Sequence, residues 1–475
     1  MAKTSLDKLT VVRGTPSLVA PARATPRESK PLSDLDDQNC TRFYSTSIHL
    51  YRGHPNKQRI DPAAVVRCAL AEVLVHYYPL AGRLREEAGR KLVVDCAGQG
   101  VAFVEADANI TVDDLGDVRY PPFPRYKEFV YDNHVYMADC PPGLLLHEII
   151  DQPLQFVQVT RLKCGGFVVG TRTCHCLGDA PGVAQYMKAF GEIACGAEEP
   201  SVPPVWAREI FNARQPPCPS FPHHEYREPN GDHDRLASTP ARDLARVQFS
   251  FGPEAIAALR SRTAPGTPAS RFDLVTACVW RSRTAALGYA PGDEVRLMID
   301  CNARGRRPGT FGREIPAGFY GNAYAYAVAR CKAGDLCGRG IGYAVRLIRE
   351  AKERITYEYM QSVADLMVLE GRPVYAWKRT FHVSDLGLAG FDDVEFGWGK
   401  AVYGAAADDA LHEFPGGANF FQRRKNHRGE DETFVGIYLP QDCTARYQNE
   451  VEALTTFTKL SMELAPVTTT LRARY

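Results

Sequence analysis

The sequence contains no long uninterrupted apolar run. No window approaches the roughly 20 apolar residues that a membrane-spanning helix needs. Residues 1–30 also lack the continuous apolar core of a secretory signal peptide. These absences argue against an integral membrane protein, and we expect a cytoplasmic protein with no membrane partner.

The chain also has little net charge. It contains 57 Lys and Arg residues against 56 Asp and Glu residues, which is a formal charge of +1. This balance gives no broad electrostatic reason to bind nucleic acid, so a charged ligand has to be met by a local group of side chains. We therefore expect no nucleic-acid partner.

The cysteines have no metal-binding or disulfide pattern. Fourteen of them run from Cys40 to Cys443 without a C-x-x-C pair or a framework spacing. We interpret them as reduced thiols that pack as small apolar side chains, and we expect no bound metal. The composition, 45% apolar and 24% charged, is that of a globular chain with room for two or three domains.

A single histidine, His175, follows two strand patterns and precedes a helix pattern. The β-type runs at 156–162 and 166–173 flank a glycine-containing turn and predict a hairpin whose second strand leads into His175. Apolar residues then recur every three or four positions over 183–196, which predicts a helix with one apolar face. His175 is therefore expected at a junction between a strand and a helix.

Both halves of the chain mix strands and helices, which predicts an α/β (α+β) fold. A helix is expected within 66–84, and a second one from about 342 to 359. The segment 197–243 is rich in proline and polar residues and is the best linker in the sequence. We predict an N-terminal domain at 1–196, a crossover linker at 197–243 and a C-terminal domain at 244–475.

His175 and Asp179 form the first group of residues that could do chemistry. The unperturbed pKa of histidine, about 6.5, leaves much of it neutral at cellular pH, so it is suited to proton transfer. On spacing alone, three other interpretations stay open. His175 could be a structural histidine, it could bind zinc with Cys174 and Cys176, or one of these cysteines could be the nucleophile of a hydrolase.

The second group is the segment VEFGWGK at 394–400. Two glycines around a tryptophan permit tight turning and close backbone approach. Taken alone, this segment is typical of a structural loop.

Together the motifs resemble those of the plant BAHD acyltransferases, in the order that this family has. H-x-x-x-D stands at 175–179, and a D-F-G-W-G-like segment stands at 395–399. The other matches are YPLAGRL at 78–84, FDLVTACVW at 272–280, NAR at 302–304 and GFYGN at 318–322. LSDLDD at 32–37 and YMQSVADLMVLEGRP at 359–373 look most like the benzyl alcohol O-benzoyltransferase group, with the taxane acyltransferases as more distant relatives.

The resemblance implies two chloramphenicol-acetyltransferase-like domains with an active-site channel at their interface. His175 would act as general base while an acceptor attacks the thioester of acyl-CoA. Asp179 would turn away from substrate, pair with Arg304 and orient the loop that carries His175. The loop residues of the second motif would support the channel from a distance: Glu395, Phe396, Gly397, Trp398 and Gly399.

Further roles follow from the same resemblance. Ser384 is expected to donate a hydrogen bond to the oxyanion, while Leu386 and Tyr320 are expected in the acceptor pocket. Glu395 replaces the aspartate of the family motif, so we expect a reshaped ion pair and retained activity. Leu388 stands where an arginine is common. The expected contacts with coenzyme A are Ser270, Arg304, Arg306 and Arg307.

The resemblance therefore implies an acyl-CoA:alcohol O-acyltransferase of plant specialised metabolism, active as a monomer. It would use benzoyl-CoA or acetyl-CoA as co-substrate, with no bound cofactor. The acceptor would be an aromatic or terpenoid alcohol. Two alternatives stay open, namely an amine acceptor and a family member that has lost turnover.

Overall fold

The computed structural model describes residues 6–118, 120–133, 148–231, 233–305, 315–408 and 418–456. The strands in these ranges are β1 Val11–Arg13, β2 Ser17–Val19, β3 Ser29–Pro31, β4 Tyr44–Tyr51, β5 Arg83–Glu86, β6 Leu92–Asp95, β7 Val101–Ala108, β8 Gln155–Leu162, β9 Phe167–Cys174, β10 Leu244–Phe251, β11 Glu294–Asn302, β12 Tyr324–Lys332, β13 Thr380–Asp385, β14 Tyr403–Ala406, β15 Asn419–Lys425 and β16 Asp431–Pro440. The helices are α1 Pro62–His76, α2 Ala180–Ala194, α3 Pro253–Ser261, α4 Arg271–Leu287, α5 Ala333–Gly338, α6 Ile341–Glu353, α7 Tyr357–Leu369 and α8 Thr444–Thr455.

Two mixed sheets organise this part of the chain. The first has the order β1-β7-β8-β9-β4-β14, with β2 also paired to β7. Its β8 and β9 form the hairpin that the sequence predicts. The second has the order β10-β16-β15-β13-β11-β12, in which β13 runs parallel to both β11 and β15. A small third sheet, β3-β6-β5, completes the set.

Helix α2 follows the hairpin, as predicted, and begins three residues earlier than the apolar pattern does. Asp179 caps it, because its side chain accepts a hydrogen bond from the backbone of Gly182, and Pro181 lies in its first turn. Met187 and Phe190 of its apolar face are buried in the core of the first sheet. The N-cap of this helix is therefore also the aspartate of the H-x-x-x-D motif, Asp179.

One predicted helix is wrong in extent. The segment from about 342 to 359 forms the end of one helix and the start of another, since α6 ends at Glu353 and α7 begins at Tyr357. Thr356 has extended backbone angles between them, and its hydroxyl accepts a hydrogen bond from the backbone of Tyr359. This N-cap starts a new helix where the apolar spacing alone indicates continuation.

The segment 197–243 connects the two sheets. Its described residues form short 3₁₀ turns at Arg208–Phe211, His224–Tyr226 and Ala241–Asp243. Phe211 and Tyr226 belong to the core of the second sheet, so the connection is packed rather than loose.

The three-part domain division stays a prediction, and one strand of the second half lies outside its own sheet. Strand β14 pairs with β4 of the first sheet, with Tyr403 opposite Leu50.

No helix among the described residues is long and apolar enough to cross a membrane.

Candidate active site

The backbone of His175 is held from both halves of the chain. Strand β9 ends one residue earlier, and a 3₁₀ turn begins at His175 itself. The His175 N–H donates to the carbonyl of Phe43 at 2.8 Å, and its own carbonyl accepts from Nδ2 of Asn322 at 2.9 Å. The imidazole is therefore carried on a rigid turn.

The imidazole of His175 lies between aromatic rings. The ring of Phe43 is 4.8 Å away between centroids, and the ring of Tyr324 stands edge-on at 6.2 Å. Burial lowers the pKa of His175, and this effect outweighs the opposing influence of Asp179 and Asp300. Its Nδ1 is buried and makes no hydrogen bond within the described residues. The neutral ring, which is the form that a general base needs, is thus favoured.

Asp179 points away from the imidazole. One carboxylate oxygen accepts from the Gly182 N–H at 3.0 Å. The other accepts from Nη1 of Arg304 at 2.7 Å and from the Ala323 N–H at 2.9 Å. The ion pair that the resemblance implies is therefore present. It joins the loop after His175 to the end of β11.

A buried ion pair that the sequence analysis did not anticipate supports the same loop. Nη1 of Arg208 donates to Oδ1 of Asp36 at 2.7 Å, and Nη2 donates to the carbonyl of Leu177 at 2.7 Å. Asn322 donates to the same Asp36 oxygen through its backbone and its side chain, each at 2.9 Å. Arg208 and Asp36 are both almost completely buried. The LSDLDD segment hinted at Asp36, but no local pattern pointed to Arg208.

A cavity of about 320 Å³ lies beside His175. Phe43, His175 and Asp179 line it from the first half of the chain. Alternate residues of four neighbouring strands of the second sheet line its other wall, because side chains two apart in a strand share one face. These residues are Asp300 and Asn302 of β11, Tyr324 and Tyr326 of β12, His382 and Ser384 of β13, and Phe420 of β15.

Comparison with known proteins finds relatives that match nearly the whole chain. The model of the Transferase family matches residues 9–454. The chain is 45% identical to a benzyl alcohol O-benzoyltransferase of Petunia hybrida, with 94% of each chain covered. It is 44% identical to alcohol acyltransferase 16 of Actinidia chinensis var. chinensis, again with 94% of each covered. The chain belongs to this family. The predicted membership of the BAHD acyltransferases is thereby confirmed.

Two solved structures confirm the fold of this BAHD acyltransferase. The crystal structure of vinorine synthase matches with a TM-score of 0.67 at 20% identity, covering 94% of this chain and 98% of that one. The structure of F. sporotrichioides TRI101 complexed with coenzyme A and T-2 matches with a TM-score of 0.65 at 14% identity, covering 89% and 97%. The predicted two-domain α/β acyltransferase fold is therefore correct.

Ser384 and Leu386 both line the cavity of this BAHD acyltransferase. Leu388 does so too, at its open side, where it is 74% exposed. The side chain of Tyr320, which we expected in the acceptor pocket, does not line this cavity. It packs against Tyr77, at 5.0 Å between ring centroids.

The backbone of Tyr320 accounts for its place in the GFYGN motif. A Cβ atom added to Gly178 would lie 2.4 Å from the Tyr320 carbonyl oxygen, and one added to Gly182 would lie 2.1 Å from it. The two halves of the chain therefore meet at glycines that flank Asp179.

The predicted contacts with coenzyme A have varied surroundings. The Ser270 hydroxyl caps α4 in a reciprocal arrangement with Asp273 and does not line the cavity. The Arg304 guanidinium is committed to Asp179 and to the carbonyls of Phe319 and Gly321. Arg306 and Arg307 lie outside the described residues. The geometry of Arg304 thus favours a positioning role over a phosphate contact.

The second motif packs behind helix α2, outside the cavity. The Phe396 ring is fully buried, 4.9 Å from Phe190 of α2, and Trp398 lies 5.0 Å from Phe167 of β9. Gly397 and Gly399 both have positive φ angles, which glycine adopts without strain. Glu395 is exposed, and the reshaped ion pair that we expected there is not formed with any residue that the structure describes.

The cysteine and zinc interpretations of the first motif receive no support from the site. Cys174 and Cys176 are fully buried and do not line the cavity. Burial raises the pKa of Cys174 well above its usual range, which disfavours the reactive thiolate. Every cysteine that the structure describes is a free thiol, and the described ranges hold no cluster of three metal-ligating residues.

Proposed function

We propose that this protein transfers the acyl group of benzoyl-CoA or acetyl-CoA to the hydroxyl of a small aromatic or terpenoid alcohol, with His175 as general base. The observation that carries this proposal is the imidazole of His175, which lines the cavity and whose backbone is hydrogen-bonded to both halves of the chain. Relatives named as alcohol acyltransferases support the same reaction class.

The reaction proceeds by direct attack. The Nε2 atom of His175 accepts the hydroxyl proton while the alcohol oxygen bonds to the thioester carbonyl carbon. The resulting tetrahedral intermediate bears an oxyanion, to which the Ser384 hydroxyl donates. The carbon–sulfur bond then breaks, the CoA thiolate leaves, and the imidazolium returns its proton to the thiolate. No acyl-enzyme forms.

Positioning residues set the geometry of this base. Asp179 and Arg304 join the His175 loop to β11. Arg208, paired with Asp36, donates a hydrogen bond to the carbonyl of Leu177 in the same loop. Since a base has to lie within hydrogen-bond reach of the proton it removes, a small shift of this loop lowers turnover. The cytoplasmic location and the monomeric state stay predictions.

The test is release of free CoA thiol from benzoyl-CoA and acetyl-CoA with a panel of alcohols and amines. We expect turnover with alcohols and a loss of about 10²–10⁴ in His175→Ala, as for other general bases. The exposed His54 supplies a matched variant, His54→Ala, which should keep full turnover. Unchanged turnover in His175→Ala would refute the assigned base, and acylation of amines alone would refute the acceptor class.

A further inference from the structure

The cavity contains a second histidine and a carboxylate that the proposed reaction does not use. Nε2 of His382 lies 2.7 Å from Oδ1 of Asp300, and both residues line the cavity. Because a carboxylate accepts, Nε2 of His382 carries the proton of this hydrogen bond. Asp300 is thereby fixed in orientation by a residue of the neighbouring strand.

The second carboxylate oxygen of Asp300 is left for a ligand. Oδ2 makes no hydrogen bond to any residue that the structure describes, and this oxygen is not fully buried. The side chain is 22% exposed, and that exposure opens onto the cavity. The Asp300 side chain is mostly buried, so a bound molecule that donates a hydrogen bond to it gains more than it would in water.

Asp300 and the base line the same cavity. The ring of Tyr324 is 6.2 Å from His175, that of Tyr326 is 5.6 Å from Tyr324, and His382 is 5.6 Å from Tyr326. The rings of Tyr324 and Tyr326 therefore connect the imidazole of His175 with that of His382, the partner of Asp300. One small molecule can thus place a reacting hydroxyl at His175 and a second polar group at Asp300.

The pair lies at the closed end of the cavity. Tyr326, Tyr375 and His382 are buried there, whereas Leu388 and Asp385 are exposed at the open end. Coenzyme A is long and carries several negative charges, so a carboxylate at the closed end disfavours it and suits the smaller substrate.

We propose that Asp300, held by His382, binds a second hydrogen-bond donor of the acceptor alcohol. Preferred acceptors then carry a hydroxyl or an amino group at the end opposite the reacting hydroxyl. This inference rests on the acyl transfer proposed above and specifies its acceptor class.

The experiment compares three acceptors of nearly equal shape: 4-ethylbenzyl alcohol, 1,4-benzenedimethanol and 4-(aminomethyl)benzyl alcohol. In the wild type, kcat/KM for at least one of the two donor-bearing alcohols should exceed that for the ethyl analogue by about tenfold or more, as expected for a hydrogen bond to a charged group. Asp300→Leu should abolish this preference. Asp300→Asn should keep a preference for the hydroxyl and lose one for the amine, which identifies the donor.

Asp385→Leu is the matched control, because it removes a carboxylate at the open end of the same cavity and should keep the ratio between acceptors. If Asp300→Leu does not fold, two other measurements replace it: the preference for the amine in Asp300→Asn and the preference for the diol in His382→Gln. Loss of these preferences supports the proposal, and their retention contradicts it. Equal kcat/KM values in the wild type, or a ratio that survives both Asp300 substitutions, would overturn the proposal. If Asp300 instead favours a benzoyl-CoA that carries a hydroxymethyl group over unsubstituted benzoyl-CoA, the assignment of this site to the acceptor is overturned.

Calorimetry keeps this inference separate from the proposed function. The three alcohols are titrated into wild-type protein and Asp300→Leu, each loaded with CoA. Tighter binding of a donor-bearing alcohol that disappears in the variant supports the Asp300 site even if no alcohol is acylated. Equal binding of all three alcohols refutes the site even if acyl transfer is observed.

Discussion

The loop after strand β9 and the loop before strand β14 carry the two motifs that define the family, and they have opposite surroundings. The first places His175 in a cavity. The second buries Phe396 and Trp398 in the core of the first sheet. The two motifs are equally prominent in the sequence, but the first borders the cavity and the second packs in the core.

Helix α2 connects the two loops. Asp179 caps its first turn, and near its other end Gly191 lies against the backbone of Glu395. The second motif thus packs against the far end of the helix whose near end follows the His175 loop. The two ends of α2 therefore give separate predictions. Substitutions near Asp179 should lower turnover directly, while substitutions near Gly191 should first lower the stability of the fold.

The largest effect is expected from Arg304→Met. Asp179 is nearly buried, and the loss of its cation leaves a charge without its partner, which destabilises by about 3–5 kcal/mol. Urea unfolding measures this loss, and kcat should fall more than KM rises because the His175 loop is displaced. The exposed pair Arg227–Glu370 is the control, since Glu370→Gln should cost less than about 1 kcal/mol. Equal losses for the two variants would contradict a special role for Asp179.

Ser384→Ala tests the chemical side of the comparison. Removal of a single oxyanion donor lowers turnover by about 10²–10³, so kcat should fall by this factor while the free energy of unfolding stays nearly constant. Ser384→Thr keeps the hydroxyl and should retain most of the turnover. A fall in both variants would instead indicate that the size of this side chain matters, and that its hydroxyl does not.

Gly191→Ala tests the supporting side. The added Cβ would lie 2.4 Å from the Glu395 carbonyl oxygen, and overpacking of this kind destabilises by about 1–3 kcal/mol. Alanine is otherwise the better helix former, so Gly342→Ala in α6, where the nearest atom is 3.9 Å away, should be neutral or stabilising. Thermal unfolding of both variants separates the two effects. Stabilisation by Gly191→Ala would show that the second motif does not press on α2.

Local patterns predicted the parts of the site that depend on local physics. The change from a period of two to a period of three or four located His175 between a strand and a helix. The resemblance supplied the pairing of Asp179 with Arg304, which are 125 residues apart. Neither spacing nor composition could have supplied it.

Other parts could not be predicted for a related reason. Alternation along β11 and β13 shows that Asp300 and His382 each share a face with their neighbours two residues away, but it does not show which face meets the other half of the chain. Arg208 comes from a proline-rich segment and pairs with a residue 172 positions earlier. The resemblance placed Tyr320 in the pocket, whereas its carbonyl packs closely against Gly178 and Gly182.

The smallest effect is expected from Glu395→Gln. The carboxylate is exposed and has no ion pair among the described residues, so the free energy of unfolding should change by less than about 0.5 kcal/mol and kcat should stay constant. Lys57→Met is the comparison, because Nζ of Lys57 lies 4.5 Å from the centroid of the Trp398 ring in this loop and its loss should cost about 0.5–1 kcal/mol. A larger loss in Glu395→Gln than in Lys57→Met would mean that the acidic position of the motif acts through its charge. The second loop would then support the helix by electrostatics as well as by packing.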